Sequence, residues 1–134
     1  MKGLTTIEVQ VRTEIVTGEV ERRVFPLGEL RGEARDGGKR VIAGHAAVFG
    51  QKAEIYGFTE EVAAGAFRDS IQADDVRALI NHDPNLVLGR NKAGTLRLSE
   101  DAVGLRTEID PPDTQAARDL LVLLERGDVS QMSF

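Results

Sequence analysis

Short runs in which every second residue is apolar recur along this chain, and they restrict its fold more than any other feature. In "TTIEVQVRTEIV", Ile7, Val9 and Val11 alternate with Glu8, Gln10 and Arg12. A period of two matches a strand with one buried and one wet face. Gly18 and the charged "EVERR" interrupt that run. "VFPLGELRGEARDGGKRVIAGHAAVFG" then predicts a hairpin, with strands over 27–34 and 40–49 joined at "RDGGK", where Asp36, Gly37 and Gly38 tolerate positive φ.

Farther along, "QKAEIYGFTEEVA" reads as a loop. "AGAFRDSIQ" predicts a short helix, because Phe67 and Ile71 stand four apart. "VRALINHDP" predicts a strand ended by Pro84. "LVLGRNKAGTLRLSEDAVGLRTEID" predicts two or three strands separated by Gly94 and Gly104.

The best-marked helix is "DTQAARDLLVLLERG". Asp113 or Thr114 can accept a hydrogen bond from a free N–H at its start. Ala116, Ala117, Leu120, Leu121, Leu123 and Leu124 form an apolar stripe. Arg126 suits the negative end, and Gly127 can adopt the left-handed conformation that stops it. The expected class is therefore α+β, mostly β with a few helices.

A chain of 134 residues can bury one core, and with 4% aromatics and no Trp that core must be mainly Val, Leu, Ile and Ala. The net charge of −5 argues against a nucleic-acid binder, although Arg22 and Arg23 form a local basic pair. Without cysteine there is no disulfide, thiolate metal site or cysteine nucleophile. No apolar run is long enough for a membrane span, and the N-terminus lacks a secretory signal. A soluble intracellular domain is expected.

Few residues can carry chemistry. The chain has two histidines, His45 and His82, with no metal-ligand spacing, so neither metal nor cofactor is expected. His45, between small residues in a predicted strand, reads as a packed or half-exposed strand residue. His82, at a strand end, reads locally as a polar turn residue, and Asp83 as a turn former. No GxSxG elbow is present. Ser130 reads as filler after the helix-ending Gly127. Ser133, between Met132 and Phe134, lies where a further strand enters the core. Spacing alone does not separate a nucleophile there from a structural hydroxyl.

Longer motifs add weight. "ERRVFP", "VIAGHAAVFG", "GAF", "DDVRALINHDPNLVLGRNKAGTLRL", "GLRTEIDPPDTQAARDLL" and "RGDVSQMSF" occur in the order found in prohead proteases of tailed bacteriophages of the HK97 type. Over residues 21–134 the chain resembles that family, and residues 1–20 form an N-terminal extension with the strand pattern described above.

The resemblance implies an assemblin-like β-barrel wrapped by helices, with His82 as general base and acid and Ser133 as nucleophile. It implies a serine endopeptidase of capsid maturation, acting inside the procapsid in the host cytoplasm. Its substrates would be scaffold, the scaffolding segment of the major capsid protein, and itself. Self-association follows by analogy only. In relatives, further strands and an acidic third catalytic member follow the "SF" pair, so the chain is expected to be C-terminally shortened. Glu108 could substitute for that acid but reads as a solvent-facing strand residue. A catalytically incomplete domain serving capsid assembly or scaffold binding is the alternative.

Overall fold

A computed structural model describes residues 6–10, 28–34, 39–50, 52–55 and 58–134. The strands are β1 (Thr6–Gln10), β2 (Gly28–Ala34), β3 (Arg40–Val48), β4 (Lys52–Ile55), β5 (Phe58–Glu61), β6 (Arg77–Ile80), β7 (Asp83–Arg90), β8 (Leu96–Glu100), β9 (Gly104–Ile109) and β10 (Gln131–Ser133). The helices are α1 (Arg68–Ala73) and α2 (Gln115–Arg126), and a 3₁₀ turn spans Asn91–Ala93. The fold is mostly β, as the alternating pattern predicts.

Eight strands form one sheet in the order β7-β6-β1-β10-β2-β3-β9-β8, and β4 and β5 pair separately. β1 runs parallel to β6, and the other pairings are antiparallel. β2 joins the two halves, pairing with β10 through Gly28 and Glu29 and with β3 from Leu30 onward.

Connectivity forces the sheet to curl. Laid flat, eight strands would span about 34 Å at the usual spacing of about 4.8 Å. Yet the chain passes from one edge strand, β7, to the other, β8, between Arg90 and Leu96, a stretch that reaches about 20 Å at most. The edges converge at that corner, where the Thr95 N–H donates to Arg90 O at 3.2 Å and the Arg90 N–H donates to Thr95 Oγ1 at 2.9 Å.

The closed barrel expected from the resemblance is not seen: among the described residues β7 and β8 form no ladder, and the sheet stays open. Its edges approach at the 3₁₀ corner. The concave side still encloses one core, in which Ile7, Ile42, Leu88, Leu105, Ile109 and Met132 join Phe67 and the α2 residues Ala117, Leu120 and Leu124.

α2 follows its sequence signals. Thr114 is the N-cap, its hydroxyl accepting from the Ala117 N–H at 3.2 Å, while Asp113 pairs with Arg118. Gly127, at φ 82°, ends the helix with its N–H directed to the Leu123 and Leu124 carbonyls.

Three local expectations need correction. Residues 52–61, read as a loop, contain the β4–β5 hairpin, with Ile55 opposite Phe58 across a two-residue connection. Pro84 does not end β6; it lies in β7, and the strand break falls at Asn81-His82. Gly104 is the first residue of β9 and not part of the preceding turn. Residues 35–38 of the "RDGGK" turn and the "EVERR" segment lie outside the described residues.

Candidate active site

His82 occupies the tip of the β6–β7 hairpin. Ile80 pairs with Asp83, leaving Asn81 and His82 as the two turn residues, at φ 54° and 62°. A two-residue turn with both centres at positive φ matches the right-handed twist of its strands, and Gly and Asn fill it most readily. Asn81 suits the first place; His82 stands where glycine is commonest. The imidazole is half-buried with Nε2 shielded from solvent. Burial lowers the His82 pKa below its ordinary 6.5, so the ring is a neutral base at pH 7.

Past the tip, β7 bulges. The pairing steps from Ile80–Asp83 to Leu79–Val87, so Pro84, Asn85 and Leu86 bow outward. Pro84, which has no N–H to offer a ladder, is tolerated there. Asp83 acts as the expected turn former, its Oδ1 accepting from the Asn85 N–H at 2.9 Å.

The other end of the hairpin is clamped by residues that sequence patterns did not single out. Arg90 donates to Asp75 through two bonds, of 2.8 and 2.7 Å. Asn91 accepts from the Val76 N–H at 2.9 Å and donates to the Asp74 carbonyl at 2.7 Å. These bonds tie the β6–β7 pair to the segment after α1. Only "D-D-V" and "G-R-N" hint at them, and nothing in the spacing says that those triplets meet.

Ser133 lies on β10, and the register relates it to His82. Glu8 of β1 pairs with Leu79 on one side and Ser133 on the other, so Leu79, Glu8 and Ser133 form one row across three strands. Val9 likewise links Ile80 and Met132. The histidine hairpin and the serine strand thus belong to one segment of the sheet with a single strand between them, about 10 Å from β6 to β10. Along β10, Met132 is fully buried, and Ser133 falls in the rows of opposite parity.

His45 has a different environment. Its Nε2 lies 2.8 Å from Asp101 Oδ2, across from β3 to the turn between β8 and β9. That contact, with the Val103 and Gly104 N–H groups donating to Oδ1, pulls the Asp101 pKa down to about 2. Asp101 is thereby a turn-closing residue to which His45 is fastened. Glu108 sits among cations, with Arg106 at 3.3 Å and Arg97 at 3.5 Å. Both lie on the far side of β2 from β10. Among the described residues no group of three His, Cys, Asp or Glu side chains could hold a metal ion.

The profile of the caudovirus prohead serine proteases matches residues 29–134, which include both His82 and Ser133. No curated protein and no solved structure matches the chain. The match covers most of the sequence and contains every strand of the sheet except β1 and the first residue of β2: the chain belongs to the caudovirus prohead serine proteases, the peptidases of bacteriophage capsid maturation.

Proposed function

We propose that the chain is a serine endopeptidase in which Ser133 is the nucleophile and His82 the general base and acid. The observation that carries this reading is the strand order β6-β1-β10, of which β6 and β10 lie within the family match: the turn holding a neutral, half-buried imidazole is one strand away from the serine strand. The reading requires the imidazole to reach back over β1 to within hydrogen-bonding distance of the hydroxyl.

A serine hydroxyl is a weak nucleophile at neutral pH until a base takes its proton. His82 accepts the Oγ proton as Oγ bonds to the scissile carbonyl carbon. The imidazolium then protonates the departing amine as the C–N bond breaks, leaving an acyl-enzyme. Water repeats the cycle, giving its proton to His82, and the acid product leaves as the serine regains its hydrogen. A pKa lowered by burial keeps the ring in its accepting form across the neutral range.

The substrates in this proposal are the phage scaffold, the scaffolding segment of the major capsid protein, and the protease itself, cut inside the procapsid in the host cell. Among the described residues no helix is long and apolar enough to cross a membrane. Co-assembly with the capsid protein tests the assignment. The unaltered chain should process capsid or scaffold, and Ser133→Ala should leave both intact. Association with capsid protein without cleavage by the unaltered chain would instead favour an assembly module.

A further inference from the structure

Phe67 is fully buried, although it sits at the mouth of a short helix, where a polar cap is usual. Its ring meets that of Phe134 edge to face, with centroids 5.1 Å apart and planes at 81°. That geometry is favourable for aromatic pairs because the positive ring edge points at the negative face. Phe134 directly follows Ser133. Phe67 is itself anchored: its N–H donates to Glu100 Oε2 on β8 at 3.1 Å, and its carbonyl accepts from the Ile71 N–H at 2.9 Å.

We propose that Phe67, held by Glu100, is a positioning residue for Ser133. The proposal rests on Ser133 being the nucleophile. On one side of Ser133 the chain is fastened by Met132, which is fully buried. On the other side the fastening is the Phe67–Phe134 contact, and Phe67 is itself held by Glu100 of β8. Two such anchors fix the backbone of Ser133 between them. Displacement by about 1 Å at a reacting centre can slow chemistry by about 100-fold.

Saturation kinetics of inactivation by a fluorophosphonate, read by mass at Ser133, provide the test. Phe67→Leu and Phe134→Leu should each lower the maximal inactivation rate by about 10- to 100-fold. The half-saturating concentration should stay unchanged, and the double variant should be no slower than the slower single one. Glu100→Ala should slow the reaction similarly, and Glu100→Gln, which keeps an acceptor for the Phe67 N–H, should restore it.

Rates equal to the unaltered chain in folded Phe67→Leu, or in Glu100→Ala should Phe67→Leu not fold, would overturn the positioning role. So would additive losses in the double variant. Failure of the unaltered chain to be labelled at Ser133 would overturn the nucleophile assignment and this role together, a result distinct from normal labelling in the variants.

Discussion

Ile80 and Asp83 face each other across a hairpin with only Asn81 and His82 between them, both at positive φ. The left-handed conformation costs a residue with a Cβ about 1 kcal/mol or more. Asn and His accept it more readily than most residues. Placing the histidine at this tip limits the backbone angles available to it and aims the ring from a fixed point. The tight turn is thus both the end of the strand pair and the mount of the proposed base.

Asn81→Gly should therefore stabilise the fold by about 0.5–1 kcal/mol, since glycine meets no Cβ penalty there. Cleavage should be retained. Asn81→Val places a β-branched residue at φ 54° and should cost about 1–2 kcal/mol. Chemical denaturation with a cleavage assay on each variant checks both. A Val variant as stable as the parent would mean that the turn is not held in this conformation.

Burial lowers the His82 pKa in the folded chain below its ordinary 6.5. The folded state then binds fewer protons than the unfolded state as pH falls through 6.5, so stability should drop there and level off below the folded pKa. The same ionisation should set the acid limb of kcat/KM, with its midpoint below 6.5. His82→Asn should remove the stability step, as read by denaturation at a series of pH values.

Gly104 and Gly94 are required for different reasons. A Cβ at Gly104 would overlap Ala47 O and lie 2.9 Å from Val48 Cα, so Gly104→Ala must push β3 and β9 apart. A cost of about 3 kcal/mol or more is expected. Gly94 sits at φ 75° with open space around it, and Gly94→Ala should cost only about 1 kcal/mol. Thermal melts of the two variants compare them directly, and equal losses would contradict the close approach.

His45→Gln should raise the Asp101 pKa from about 2 toward its ordinary 3.8, because the His45 contact is the largest cause of its depression. The group is depressed in the folded state, so its stabilising contribution is present above pH 3.8 and is lost as pH falls toward 2. Carboxyl NMR titration measures the shift, and the variant should begin to unfold at higher pH than the parent.

Much of this arrangement was legible because strands and helices carry local periodicity. Ile7 and Val9 marked β1, and Thr114 and Gly127 bounded α2 within a residue. The β4–β5 hairpin escaped because each of its strands has only four residues, too few for alternation to show, although Gly57 beside Tyr56 was the available signal. Pro84 misled because a bulge removes the ladder bond that a proline would otherwise break. Pairings between separated segments, such as Asn91 with Val76 and His45 with Asp101, depend on which strands lie side by side and leave no local trace. The insertion of β1 between β6 and β10 was invisible for the same reason, and it decides how the two candidate site residues are related.

The assignment of chemistry to His82 and Ser133 is best measured by fluorophosphonate modification followed by peptide mapping. A single adduct on Ser133 is expected in the unaltered chain, with the rate reduced by about 10⁴ or more in His82→Ala and no adduct in Ser133→Ala. An adduct on another residue, or one formed on Ser133 at an undiminished rate without the imidazole, would contradict it.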